Sequence, residues 1–194
     1  MIKRTVLTLL ALVLSAATIA NAAIINFDVS LSGANENPAN ASPGSGSADI
    51  AIDTVLRTMS IDVTFADLLG LTTAAHIHCC ALPPANVMVA TQVPNFEGFP
   101  LGVSSGSYSH LFDMTLASSY NPAFITAHGG TVSSAFDDLL AGMLGGRSYL
   151  NIHSTLFGGG EIRGTLIQVP EPASLALWGV ALAGLALSRR RRSA

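Results

Sequence analysis

Alternation of apolar and polar residues with a period of two is the strongest fold signal in this 194-residue chain. The segment 59–65 (MSIDVTF) places four apolar side chains on one face and three polar ones on the other, and 27–33 (FDVSLSG) and 47–53 (SADIAID) repeat the pattern. Because successive side chains of a strand point to opposite faces of a sheet, this pattern predicts half-buried strands of an antiparallel sheet.

Later segments continue the strand pattern, and one insertion departs from it. The further predicted strands are ANVMVAT (85–91), YSHLFDMTL (108–116), YLNIHST (149–155) and GEIRGTLIQV (160–169). In the insertion, Asn121 is placed to cap a first helix, and Ser133 or Ser134 to cap a second over 135–144. We therefore expect an all-β, antiparallel β-sandwich with a short helical insertion that covers one end of the sandwich.

Residues 1–22 have the organisation of a secretory signal peptide. Lys3 and Arg4 form a basic start, residues 5–20 are almost entirely apolar, and the small residues of 20–22 (ANA) form a signal-peptidase site. Cleavage is expected after Ala22, and an uncleaved membrane anchor is the alternative. Export by this route places the mature chain in an oxidising compartment.

Residues 169–194 resemble the PEP-CTERM sorting signal of Gram-negative bacteria. A Pro-Glu-Pro motif precedes the apolar segment 173–187, which is shorter than the roughly 20 residues of a full helical span, and an arginine cluster follows where cytoplasmic charge belongs. The motif residues are Pro170, Glu171, Pro172, Arg189, Arg190, Arg191 and Arg192. The resemblance implies a short transmembrane helix that anchors the chain transiently in the inner membrane, cleavage by an exosortase near the motif, and passage from the periplasm to the outer surface. A plain tail anchor is the alternative.

The domain between the two signals, 23–168, is strongly acidic. Without the terminal segments it keeps eleven acidic and three basic residues, a net charge of 3 − 11 = −8, and it contains no lysine. Nucleic acids and anionic membrane surfaces are bound through basic patches, so neither is an expected partner of this domain.

The chemistry-bearing residues concentrate in AAHIHCCALPP (74–84) and on a later strand. His76 and His78 share a face of their strand, since they are two residues apart. His153 lies on the later segment YLNIHST. If the two strands meet, three imidazoles converge in an arrangement suited to zinc or copper.

A hydrogen-bonded polar network is the other interpretation of the histidines. Buried imidazoles often bond only to backbone groups or carboxylates. Glu161 and Arg163 are available for such a network, with Asn151 beside them on the strand of His153.

Cys79 and Cys80 are the only cysteines of the chain. In an oxidising compartment their even number favours a disulfide. Three arrangements remain open: a bond between the two neighbours, thiols that pair with another chain, or Cys80 as a metal ligand beside the histidines. The spacing does not match a Cys-x-x-Cys redox motif.

The motifs AAHIH, YLNIH and GEIRGTL together resemble the CHRD domain, over about residues 25–167. The resemblance implies an immunoglobulin-like β-sandwich that works as a binding or structural module. The pair Cys79–Cys80 departs from the family pattern, in which small residues or glycines are usual at these positions.

The sequence shows no catalytic constellation. It lacks a G-x-S-x-G elbow, a phosphate-binding loop and a dinucleotide fingerprint, so we expect no enzymatic activity. The expected function is that of an exported cell-surface or extracellular-matrix protein with a CHRD binding or structural module. Its expected partners are signal peptidase and exosortase, with an exopolysaccharide or another surface protein as ligand. The alternative is a secreted copper- or zinc-binding protein that uses the His-x-His strand.

Overall fold

A computed structural model of the protein describes residues 24–170. Its strands are β1 (Ile24–Ser32), β2 (Ser45–Asp53), β3 (Thr58–Ala66), β4 (Thr72–Cys79), β5 (Gly106–Asp113), β6 (Ser148–Ser154), β7 (Ile162–Thr165) and β8 (Ile167–Gln168). Its helices are α1 (Pro122–Ala127) and α2 (Val132–Leu144), with single 3₁₀ turns at Gly33–Asn35 and Ala117–Ser119. The predicted signal peptide, the apolar tail segment and the arginine cluster lie outside the described residues.

The strands form one curled antiparallel sheet. Their order is β4-β6-β7-β1-β2-β3-β5, and the short β8 pairs with β1. Apolar side chains from both ends of this order belong to a single buried core, so the curled sheet encloses its own interior in a sandwich-like fold. The expected all-β architecture is confirmed, and so is the helical insertion between the later strands.

The period of two correctly predicts the core face of the first three strands. On β3, Met59, Ile61, Val63 and Phe65 are each at most 4% exposed, whereas the polar residues between them face outward. Each fully buried aliphatic side chain contributes about 1.5–3 kcal/mol of transfer free energy. This repeated burial fixes the register, because a slip of one residue would turn the apolar set toward water.

The predicted strand ANVMVAT is wrong. This segment belongs to a long loop that runs along the outer edge of β4 and bonds to it irregularly, with Ala90 N donating to Ile77 O at 2.9 Å and Phe96 N to Ala75 O at 3.0 Å. Prolines at 83–84 and 94 flank the segment and have no N–H to donate, which interrupts a regular ladder. The loop nevertheless covers the edge of β4.

The second helix begins earlier than predicted. Its N-cap is Thr131, whose side chain accepts a hydrogen bond from the amide of Ser134. The side chain of Ser134 in turn accepts from the backbone amide of Thr131, which completes a capping box. The predicted caps Ser133 and Ser134 therefore lie inside α2. The helix packs against β4 and β6, where it covers the core next to the candidate site.

Candidate metal centre

Strand alternation separates the histidines of β4 from its core residues. Ala75 and Ile77 point into the core and are fully buried, so His76 and His78 point to the opposite face of the sheet. That face would ordinarily be wet, yet the two histidines are only 7% and 9% exposed. Burial on this side indicates that loops cover the outer face of β4.

The pairing of β4 with β6 brings His153 to the same place. Ala74 is the register partner of His153, and His76 is the partner of Asn151. The ring centroid of His76 is 4.8 Å from that of His78 and 4.6 Å from that of His153. One ring nitrogen from each of the three histidines lies within 4.8 Å of the others, so the predicted convergence of three imidazoles is present in the geometry.

Backbone carbonyls fix the tautomers of two of these rings. Nδ1 of His78 lies 2.6 Å from the carbonyl oxygen of Val87, and Nδ1 of His153 lies 3.0 Å from that of Gly158. Because a carbonyl only accepts, each Nδ1 must carry the proton and each Nε2 keeps a lone pair. Both Nε2 atoms are buried without a hydrogen-bond partner.

The third ring presents its other nitrogen. Nδ1 of His76 is buried without a hydrogen-bond partner. In the tautomer that carries its proton on Nε2, this Nδ1 keeps a lone pair, as the other two rings do at Nε2. In His78 and His153 a backbone carbonyl holds the nitrogen that is far from the cluster, as is usual for histidines that bind a metal.

Burial keeps the three imidazoles neutral. Desolvation lowers the pKa of His76 to about 3, with the neighbouring His153 and His78 acting in the same direction. Desolvation also lowers the pKa of His78 to about 4 and the pKa of His153. A neutral imidazole with a free lone pair is the form that binds a metal ion.

The donor set fits a borderline transition metal. Three imidazole nitrogens suit Zn²⁺ or Cu²⁺, with Zn–N distances of about 2.0–2.1 Å. The widest separation of the three nitrogens, 4.8 Å, exceeds the spacing of about 3.3 Å between tetrahedral ligands at that bond length. Binding of a metal would therefore draw the three rings closer together.

Tyr149 forms one wall of the cluster and was missed by the sequence reasoning. Its ring stacks on His78 with centroids 4.6 Å apart and planes 7° from parallel. The guanidinium of Arg163 also lies over the Tyr149 ring, 4.7 Å from its centroid. The signal was present in the sequence, since Tyr149, Asn151 and His153 share one face of β6 by alternation.

Glu161 and Arg163 do not bond to the histidines. The carboxylate of Glu161 accepts from Ser42 Oγ at 2.6 Å and from the amides of Leu69 and Gly70. Burial alone would raise its pKa, but these bonds and one with Ser154 outweigh burial and lower the pKa. Glu161 thus ties the loop after β1 to the loop before β4.

Arg163 organises a second set of loop contacts. Its guanidinium donates to the carbonyls of Asn35 and Pro84 and to Oδ1 of Asn86. Glu36, which the sequence reasoning also missed, lies 3.8 Å from Nε of Arg163. A lone glutamate in a polar loop gives no signal of such burial, because only the folded loop places it there.

Asn151 lies between the histidines and this arginine. It is 2% exposed, and its Oδ1 has no hydrogen-bond partner. In the described residues, the predicted polar network is therefore two loop-anchoring sets around Glu161 and Arg163, and the three histidines form a separate cluster.

Cys79 and Cys80 are bonded to each other in a disulfide at the end of β4. Cys79 faces the core, on the side of the strand opposite to His76 and His78. Cys80 Sγ lies near the carbonyl of Asp138 on α2. The bond therefore points toward the helix, and Cys80 is not among the three residues that converge.

The family comparisons fall on the same residues. The fold and the histidine cluster define an all-β domain with a buried polar centre on the outer face of its sheet. The CHRD domain model matches residues 27–166, which is more than half of the chain, and the protein belongs to the CHRD domain family. A PEP-CTERM protein-sorting motif matches residues 168–192. No similar protein was found among curated proteins, and no similar chain among solved structures.

The sorting motif marks an exported protein of Gram-negative bacteria that is processed by an exosortase. Within residues 24–170, no helix has the length and apolar character needed to cross a membrane. The predicted transmembrane helix falls on 173–187, outside the described residues, and stays a prediction.

Proposed function

We propose that this exported CHRD protein is a transition-metal-binding protein with a trihistidine site for zinc or copper. The observation that carries the proposal is the convergence of one ring nitrogen from each of His76, His78 and His153. Nδ1 of His76 and the Nε2 atoms of His78 and His153 are buried without a hydrogen-bond partner, and each unpaired buried acceptor costs about 1–3 kcal/mol. A bound cation removes this cost at all three positions.

A purely structural polar network explains the cluster less well. Such a network would place a donor opposite each lone pair, and the nearest charged groups are occupied elsewhere. Arg163 is bonded to the loop carbonyls, and Glu161 is bonded to loop amides and Ser42. The acidic charge of the domain also raises the local concentration of cations.

Metal content of the mature domain tests this proposal. The domain 23–169, purified from a periplasm supplied with zinc and copper, is expected to hold one equivalent of metal by elemental analysis. The double variant His76→Ala/His78→Ala is expected to hold almost none, whereas His110→Ala, a strand histidine outside the cluster, keeps the wild-type content. Content well below one equivalent in the wild-type domain would end the proposal.

We further propose the route by which the protein reaches its site of action. Signal peptidase releases the N-terminus, residues 173–187 anchor the chain transiently in the inner membrane, and exosortase cleavage delivers the domain from the periplasm to the outer surface or extracellular matrix. There the domain acts as a metal-holding module next to its ligand, an exopolysaccharide or another surface protein. The PEP-CTERM match supports this route, and the acidic domain supports partners other than nucleic acid.

A further inference from the structure

Two more buried acceptors without partners lie beside the histidine cluster. They are Oδ1 of Asn151 and Oε1 of Glu36. Together with the three imidazole nitrogens they account for five of the six buried side-chain atoms without a partner in residues 24–170. The sixth, Ser148 Oγ, lies on the other side of β6, toward the disulfide. Oδ1 of Asn151 thus lies on the histidine side of the sheet without a donor from the described residues.

Asn151 is placed to serve the metal position. It is the register partner of His76 and precedes His153 by two residues on β6, so its side chain shares their face of the sheet. Directly opposite residues have Cβ atoms about 4.5–5.5 Å apart. The side-chain amide of Asn151 is therefore next to two of the three proposed ligands. Its Oδ1 accepts no hydrogen bond from the protein.

Gly160 lets Asn151 and Glu36 approach each other closely. Its φ is +128°, which L-residues rarely adopt. A Cβ there would lie 2.5 Å from both Oδ1 and Nδ2 of Asn151 and 2.7 Å from Oε1 of Glu36. Glycine is therefore required where the two unpaired oxygens come together.

We infer that the trihistidine centre is an open metal site, whose fourth position holds a small exogenous ligand that donates a hydrogen bond to Oδ1 of Asn151. This inference rests on the proposed metal-binding function. Three protein ligands plus an exchangeable water are typical of reactive zinc sites, whereas structural zinc sites are closed by four protein ligands.

The ligand class follows from the acceptor chemistry. A ligand that carries hydrogen on its donor atom, such as water, hydroxide or a peroxide, can donate a hydrogen bond to Oδ1 of Asn151. Oε1 of Glu36 can accept a hydrogen bond from a second water. An anion without hydrogen, such as azide, reaches the ion but leaves Oδ1 unpaired. Asn151 is thus a positioning residue that favours protic ligands at the metal.

Azide titration of the copper-loaded mature domain tests the inference. In the wild-type domain azide must displace a water held by Asn151. Asn151→Ala removes that hydrogen bond, so azide should bind about tenfold more tightly, as expected for one net hydrogen bond. Asn151→Gln keeps a neutral amide acceptor and should stay closer to wild type than Asn151→Ala, and Asn26→Ala, an exposed asparagine of β1, serves as the matched control. Equal azide affinity in the wild type and Asn151→Ala would overturn the role of Asn151.

A second measurement needs no variant. Pulsed electron paramagnetic resonance of the Cu²⁺ protein in H₂O and D₂O should show exchangeable protons of a water bound to the ion. A site that holds one copper but shows neither exchangeable protons nor an azide band is closed, which would overturn this inference and leave the proposed metal function intact. Absence of both bound copper and bound zinc would overturn the proposed function itself. If Asn151→Ala fails to fold, the spectra of the wild-type protein in H₂O and D₂O decide the question.

Discussion

His153 lies diagonally across the β4–β6 pair from His76, with their ring centroids 4.6 Å apart. The two residues belong to different segments of the chain, and antiparallel pairing alone brings them together. The ring of His153 is held at Nδ1 by the carbonyl of Gly158, and each of the two rings has one buried nitrogen without a hydrogen-bond partner. The fold therefore keeps both imidazoles buried and unprotonated, so the stability of the fold should depend on pH.

The metal-free domain should lose stability as the pH falls below about 6.5. Unfolded imidazoles take up protons near that pH, whereas in the fold the pKa of His76 is about 3 and that of His78 about 4. Between these values the unfolded state binds more protons, so the free energy of unfolding decreases with falling pH, by at most about 1.4 kcal/mol per pH unit for each imidazole.

Urea unfolding at pH 7, 6 and 5 checks this, with His76→Gln/His78→Gln as the comparison. The double variant should show the weaker pH dependence. Burial raises the pKa of Glu36 to about 7, with the opposite effect on stability, but this contribution is present in both proteins and cancels in their difference. Identical pH dependence would contradict burial of neutral histidines.

Glu161 should be a strong contributor to stability. Its carboxylate accepts from Ser42 and from the backbone amides of Leu69 and Gly70. Hydrogen bonds to a charged group contribute about 1.5–3 kcal/mol each. Glu161→Gln keeps the shape but loses the charge, so we expect a loss of about 2 kcal/mol by chemical denaturation at pH 7.

The matched control is Glu97→Gln, which changes an exposed glutamate and should alter stability by less than about 0.5 kcal/mol. The lowered pKa of Glu161 means that its contribution is present above the unfolded pKa and is lost as the pH falls through the folded pKa. The two variants should therefore converge at acid pH, and a Glu161→Gln protein as stable as Glu97→Gln at pH 7 would refute this role.

Gly142 should be intolerant of even a methyl group. A Cβ there would meet Cys79 Sγ closely and would lie 2.9 Å from Cys80 Sγ and 3.1 Å from Ser148 Oγ. Alanine favours a helix over glycine by up to about 1 kcal/mol, yet we expect Gly142→Ala to destabilise the domain by about 1–3 kcal/mol through overpacking. Thermal unfolding measures the change against Gly158→Ala, whose Cβ would meet no atom within 4 Å. A stabilising Gly142→Ala would show that α2 is not seated against the disulfide.

Processing should remove the C-terminal segment. Mass spectrometry of the protein recovered from the native host is expected to place the mature C-terminus near Pro170, since exosortase cleaves near the Pro-Glu-Pro motif. Deletion of the exosortase should leave the arginine tail attached. An intact tail in the wild-type host would favour the plain tail anchor.

Local periodicity predicts the part of the fold that depends on local physics. Met59, Ile61, Val63 and Phe65 alternate in the sequence and are buried together, because the strand period of two is the same in the sequence and in the sheet. The convergence of His76 and His78 with His153 follows from the same rule once β4 and β6 are paired.

What the sequence does not reveal depends on loops. The segment 85–91 alternates like a strand but its pairing is interrupted beside prolines, and Glu36 is buried only because its loop folds onto Arg163. Carbonyls of Val87 and Gly158 fix the tautomers, and backbone groups carry no residue-type signal. The sequence alone therefore does not distinguish a metal centre from a polar network.

The most direct test of the account is the anomalous scattering of crystals of the mature domain grown with zinc or copper. We expect one anomalous peak, placed about 2.0–2.1 Å from Nδ1 of His76 and from the Nε2 atoms of His78 and His153. If crystals grown with excess metal show no peak among these three nitrogens, or show the ion bound elsewhere, the trihistidine centre is contradicted.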